Sequence, residues 1–265
     1  MISAIKKKLI FLNQLLKQIG FDFILLKNIF LFFKFIKDFV LFKKLKGTVF
    51  SIYPFLSDYK DNAGACNGHY FHQDRLVASY IFNQNPKNHL DIGSRIDGFV
   101  SAVSIFREIN VMDIRDLSAI NLRNIKFIKN DLMNDNSVSN IKYDSISCLH
   151  AIEHFGLGRY GDNVDPLGYI KGIKNIMKLL DDHGSLYISF PITHEKNQVY
   201  FNAHRVFNYK DIFTWLENVN IKLIQFDFVD DNGDLHTNIE INKFPLKCKY
   251  GLGIYTFKKF KLLEK

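Results

Sequence analysis

The chain has 265 residues and is 47% apolar, enough for one α/β domain with an appendage and too apolar for disorder to be the default. Its net charge of +8 sits at one end: residues 1–46 hold Lys6, Lys7, Lys8, Lys17, Lys27, Lys34, Lys37, Lys43, Lys44 and Lys46 against Asp22 and Asp38, leaving 25 basic and 25 acidic side chains in residues 47–265. A neutral domain gives a phosphate backbone no electrostatic footprint, so no nucleic-acid partner is expected.

In chain order, residues 1–46 come first, as a basic amphipathic extension. Ile5, Leu9, Leu12, Leu16, Ile19, Phe23, Leu26, Phe30 and Phe33 recur at spacings of four and three, one face of a helix. Gly20, followed by Asp22 as N-cap, divides the run. Three readings stay open: packing or homodimerisation, a helix lying in a membrane interface with lysines toward anionic headgroups, and a bilayer span. Asp22, Lys27, Lys34, Lys37 and Asp38 inside residues 21–42 argue against the span. No short apolar core ends in a small-residue cleavage site, so a secretory leader is not expected. Cys66, Cys148 and Cys248 form no C-x-x-C pair, which fits a reducing cytoplasm.

From residue 72 short apolar runs alternate with helical stretches. Helices are expected at 72–82, 99–106, 167–180 and 209–217, strands at 88–92, 109–113, 125–128, 143–149, 185–190, 221–229 and 254–257, and a loop over 230–250. The alternation predicts a Rossmann-like, seven-stranded, mostly parallel sheet with helices on both faces over residues 47–265.

In such a sheet a ligand lies beyond the carboxyl ends of the strands, at the point where strand order reverses. The turn Asp91-Ile92-Gly93-Ser94-Arg95-Ile96-Asp97-Gly98 follows the first strand. Gly93 lets the chain turn, and Gly98 opens the next helix close to the sheet. Leu90-Asp91-Ile92-Gly93-Ser94 resembles the first motif of class I S-adenosylmethionine-dependent methyltransferases. That resemblance implies a cofactor site of Asp91, Gly93, Ser94, Gly98, Asp113, Asp131 and His150, with Asp113 on the ribose hydroxyls and Asp131 on the adenine amino group. Arg95 and Ile96 depart from it, standing where small residues are common; Arg95 either crowds the methionine part of the cofactor or points outward.

Gly156-Leu157-Gly158-Arg159-Tyr160-Gly161 spells G-x-G-x-x-G, but no strand directly precedes it and no helix directly follows, so a dinucleotide fingerprint is not expected. His150-Ala151-Ile152-Glu153-His154 fits H-x-x-E-H, yet these histidines flank a strand end rather than sharing a long helix, so no zinc site is expected; a divalent ion on carboxylates such as Asp162 and Asp165 stays open without being predicted. The string Glu153-His154-Phe155-Gly156-Leu157-Gly158-Arg159-Tyr160-Gly161-Asp162, with Tyr70-Phe71-His72-Gln73-Asp74 upstream, looks like a little-characterised methyltransferase-like family of bacterial surface-polysaccharide gene clusters and nematodes. The likeness covers roughly residues 50–260 and implies O-methylation of a sugar or glycan precursor in the cytoplasm, at the inner face of the membrane if the extension lies in the interface. Methyl transfer to a hydroxyl removes one proton, for which neutral His is suited near pH 7. His154 is the candidate base, Glu153 its orienting carboxylate and His204 its rival. Arg159, Tyr160, Asp162 and Arg205 are candidate contacts to a small-molecule or glycan acceptor. A non-catalytic Rossmann-like module attached to a membrane-bound glycan-assembly complex is the alternative.

Overall fold

The computed structural model describes residues 16, 29–60, 63–64, 66–117, 122–134, 141–242 and 247–261. The chain divides into two compact units, Met1–Ala65 and Cys66–Lys265. In the first, helix α1 spans Ile29–Lys44 with Lys43 and Lys44 in its last turn, where cations meet the partial negative charge of the helix end. Phe30 and Phe33 are more than two-thirds exposed, and the Lys34 ammonium lies 3.9 Å from the centre of the Tyr59 ring. No helix among the described residues is long and apolar enough to cross a membrane. The expected break at Gly20 and Asp22, and the periodic positions from Ile5 to Leu26 other than Leu16, lie outside the described residues.

The second unit carries helix α2 (His69–Gln84) and strands β1 (His89–Ile92), β2 (Ile109–Asp113), β3 (Ile125–Lys129) and β4 (Tyr143–Leu149). Helix α3 (Ser101–Ser104) falls between β1 and β2, and α4 (Gly168–Leu179) follows β4. Then come β5 (Leu180–Thr193), β6 (Gln198–Tyr200), β7 (His204–Asn208), α5 (Asp211–Trp215), β8 (Ile221–Val229), β9 (Leu235–His236) and β10 (Gly251–Lys259). Sheet order is β3-β2-β1-β4-β5-β10-β8-β9. Strands β1 to β5 pair in parallel, and β10 runs antiparallel between β5 and β8. Strand order reverses between β1 and β4, which sets the ligand crevice at their carboxyl ends.

Side chains alternate across this sheet, so each face receives its own helices. Leu90, Ile92, Met112, Ile146 and Ile188 pack with Ile173 and Ile176 of α4 and Ile212 of α5. On the opposite face Val111, Leu149 and Ile254 pack with Val77, Ala78 and Ile81 of α2. The second face is unusually polar. His89, Asp91, Ser145, Ser147 and Ser189 are fully buried there, and His89 reaches Ser145 and Ser147 through its two ring nitrogens. Burial pushes the His89 pKa down to about 3, leaving the ring neutral.

Four expectations change. The expected helix at 99–106 is a five-residue turn, Ile96–Val100, followed by the single turn of α3, because Gly98 holds φ −113° and ψ −111°. The helix expected at 209–217 shortens to α5. The loop expected over 230–250 contains β9. The β6–β7 hairpin was not foreseen: its residues Gln198-Val199-Tyr200 and His204-Arg205-Val206-Phe207-Asn208 lack a clean period of two in polarity.

Candidate active site

The turn after β1 is held from below. Gly93 adopts φ +75°, and a Cβ there would come within 2.8 Å of the Ala151 side chain, so glycine is needed both for the backbone and for the approach of the β4 loop. Asp91 is fully buried beneath this turn. Its carboxylate accepts from the Ser94 amide (3.2 Å), the Ser94 hydroxyl (2.9 Å) and the Ser147 hydroxyl (2.6 Å), while burial pushes its pKa up to about 7. Asp91 thus fastens the turn to β4 and does not line the crevice, correcting its expected place as a direct cofactor contact. Arg95 stands at the rim of the neighbouring cleft, its guanidinium taken by Asp97 through two hydrogen bonds with 74% of its side chain exposed.

Beyond the carboxyl ends of β1 to β4 lies a crevice lined by Ile92, Gly93, Met112, Ile114, Leu132, Met133 and Phe155, with Asp113, Asp131 and His150 on its wall. Ser94, Gly98 and His150 also line a second cleft that adjoins it, together with Glu153, His154, Arg159, Tyr160 and His204. Sequence reasoning missed Arg115, Asp74, His69 and Tyr250. Arg115 lines both spaces, ion-pairs with Asp113 and lies 4.5 Å from the centre of the Tyr160 ring. Asp74 of α2 lies where a side chain at residue 98 would sit, 2.9 Å from the position of its Cβ. Asp74 stands in the Tyr70–Asp74 string, a signal without an assigned role. His69 and Tyr250 are 181 positions apart and come together only through the topology (their rings stack at 5.6 Å).

The acceptor side is built around Glu153, which is fully buried in a single 3-10 turn, Ile152–His154. Its Oε1 accepts from His150 Nδ1 at 2.6 Å, and Oε2 has no hydrogen-bond partner. Burial raises the carboxyl pKa, but His150 and His154 outweigh it and hold the group below the usual range. With Nδ1 donating to Glu153, His150 Nε2 accepts from His69 Nδ1 at 3.2 Å. Burial, with His150 adding to it, pushes the His69 pKa down to about 4.

His154 Nδ1 donates to the Ala203 carbonyl at 2.6 Å. A carbonyl only accepts, so the neutral ring keeps its lone pair on Nε2, which lies 3.6 Å from Glu153 Oε1, too far for a hydrogen bond. Burial lowers the pKa of His154 and of His204. His204 stands on β7, not in a loop, with its Nε2 unpartnered and its ring 6.5 Å from that of His154.

Two other expected acceptor contacts are spent on the loop itself. Asp162 accepts from the amides of Gly156 (2.8 Å), Gly158 (3.3 Å) and Tyr160 (3.2 Å), so the G-x-G-x-x-G segment wraps its own carboxylate. Arg205 is 3% exposed and donates to the carbonyls of Phe155 (2.6 Å) and Glu153 (3.3 Å), with longer contacts to Asp165 and Pro166. Both clamp the loop; Asp162 still lines the crevice, whereas Arg205 lines neither space, correcting its expected place as a substrate contact. Arg159 and Tyr160 do line the cleft. Among the described residues no three His, Cys, Asp or Glu side chains are placed to hold a metal ion.

Residues 98–216 match a family model described as a Caenorhabditis protein of unknown function, DUF268. No curated protein matches the sequence. Among solved structures, N-methyltransferase NodS from Bradyrhizobium japonicum WM9, in complex with S-adenosylhomocysteine, is 11% identical with a TM-score of 0.50, covering 73% of this chain and 89% of its own. Coclaurine N-methyltransferase, bound to N-methylheliamine and S-adenosylhomocysteine, gives 8% identity and a TM-score of 0.52 over 76% of this chain and 75% of its own. The fold is that of class I methyltransferases. The same fold is shared by the [4+2]-cyclase SpnF, at 11% identity and a TM-score of 0.50 over 71% of this chain and 81% of its own, so fold alone does not name the reaction.

Proposed function

We propose that the protein is an S-adenosylmethionine-dependent methyltransferase acting on a hydroxyl of a sugar or glycan precursor of surface-polysaccharide assembly. The observation that carries this reading is the crevice at the strand-order reversal, where Asp113 and Asp131 flank apolar walls and a second cleft with an oriented histidine adjoins it. The residues suit the cofactor. Ile114, Leu132 and Met133 offer a planar base apolar contact, and Asp131 takes its amino group. Asp113 takes the ribose hydroxyls, and Gly93, Ser94 and Gly98 leave room for the methionine part, with Asp74 facing its ammonium.

Arg115 must yield at Asp113, since it already occupies three of the roughly four lone-pair sites of that carboxylate. The pair is half-buried, with 40% of the Arg115 side chain and 10% of the Asp113 side chain exposed, so the two ribose hydroxyls must replace the hydrogen bonds that the guanidinium gives up. When bound, S-adenosylmethionine supplies an electrophilic methyl group. His154 Nε2 takes the proton of the acceptor hydroxyl, the Ala203 carbonyl fixes the ring, and Glu153 steadies the imidazolium that forms.

Calorimetric titration with S-adenosylhomocysteine tests this reading. Wild-type protein should bind one equivalent, and Asp113→Ala should bind about 10-fold more weakly or worse. Absence of binding by wild type would remove the reading.

Residues 1–46 attach the enzyme to an anionic membrane surface, a reading supported by the exposed Phe30 and Phe33 beside Lys34 and Lys37 on α1. Full-length protein should pellet with anionic vesicles at low salt and be released at 1 M salt, while a chain starting at Gly47 should stay in solution. Equal behaviour of the two would leave packing or homodimerisation as the role of the extension.

A further inference from the structure

Three arginines line the cleft beside His154, and two are already answered. Arg95 is held by Asp97 and Arg115 by Asp113. Arg159 has no carboxylate partner among the described residues. Its one hydrogen bond to the described residues runs from Nη1 to the Ala203 carbonyl at 3.0 Å, which leaves four of its five N–H donors unused by them. That carbonyl is the oxygen which also holds His154 Nδ1, so one backbone atom sets the cation beside the candidate base.

The same cleft holds atoms that want donors. Glu153 Oε2 is buried without a partner, and His154 Nε2 carries a lone pair. Leaving buried polar atoms unsatisfied is costly, and a ligand satisfies such acceptors with O–H or N–H donors. Tyr70, Tyr160 and Tyr250 add flat surfaces around them. A cleft with acceptor atoms at depth and one unanswered guanidinium beside them matches a molecule with hydroxyls on one side and an anion on the other. A neutral polyol would leave the Arg159 fork unused.

We propose that the acceptor carries a carboxylate or phosphate next to the hydroxyl that is methylated, as in a uronate or a sugar phosphate, and that Arg159 recognises this acidic group. This inference rests on the methyltransferase reading and narrows its substrate. A planar guanidinium meets either anion with two parallel hydrogen bonds, worth about 10- to 100-fold in affinity.

The test uses the full chain saturated with S-adenosylhomocysteine, titrated in parallel with D-glucuronate, D-glucose 1-phosphate and D-glucose. At least one anionic probe should bind about 10- to 100-fold more tightly than glucose. Arg159→Ala should erase that advantage while keeping the affinity for S-adenosylhomocysteine, and Arg159→Lys should restore part of it. The preferred anionic probe identifies the acid as carboxylate or phosphate. Anionic probes binding no better than glucose, or an advantage that survives Arg159→Ala, would overturn the proposal. Failure of the methyltransferase reading looks different, because S-adenosylhomocysteine itself would then not bind.

Discussion

Replacing His154 with alanine should lower turnover about 10²- to 10⁴-fold while leaving the affinity for S-adenosylhomocysteine nearly unchanged. The expectation follows from where the ring keeps its lone pair. Nδ1 is committed to the Ala203 carbonyl, so Nε2 is the nitrogen free to take a proton, and Glu153 stands 3.6 Å away to stabilise the charge. Burial lowers the His154 pKa below its ordinary 6.5, so the base is already unprotonated at neutral pH. The rate should therefore be flat near neutrality and fall on acidification at some pH below 6.5, as Nε2 gains its proton. His204→Ala is the paired control, since His204 also presents a buried, unpartnered Nε2. Loss of turnover in His204→Ala, with His154→Ala affecting only the melting temperature, would reverse the two roles.

Arg205→Ala should destabilise the protein by about 2–4 kcal/mol, because it leaves the carbonyls of Phe155 and Glu153 without their donor in a dry environment. For a domain of this size each kcal/mol lowers Tm by about 2–4 °C, so a fall of about 5–15 °C is expected by calorimetry. Activity would suffer as well, since the clamped loop carries Glu153 and His154. The melting curve separates the two explanations. A substrate contact would raise KM at unchanged Tm, whereas a clamp lowers Tm, and Arg205→Lys would recover little of it because a single ammonium cannot take the place of Nη1 on Phe155 and Glu153 and of Nη2 on Asp165 and Pro166 together.

Those two residues also show how far the sequence could be read. Strands β2, β4 and β8 match their expected limits, because each is a short, largely apolar run bounded by turn residues. The order of the landmarks placed Gly93, Asp113, Asp131 and His150 around one crevice, because in this architecture position at a strand end dictates position in space. Side-chain direction was not legible. Asp91 lies one residue from Ile92, so strand alternation sends it beneath the sheet and away from the crevice. Arg205 lies inside β7, next to His204, and the same alternation turns it toward the loop carbonyls while His204 meets the cleft. Nothing local to Asp162 signals that three backbone amides of its own loop will claim it. The Arg115–Asp113 pair and the His69–His150–Glu153 chain join segments that only the finished topology brings together.

The crevice between Asp113 and Asp131 is proposed to hold S-adenosylmethionine. A crystal structure of the full chain grown with S-adenosylhomocysteine tests it most directly. The purine should lie against Ile114 and Leu132, the ribose hydroxyls on Asp113, Arg115 should have moved off that carboxylate, and the open end of the cleft should lead to His154. Crystals grown at saturating ligand in which Arg115 still covers Asp113, with the ligand absent or bound elsewhere, would contradict it.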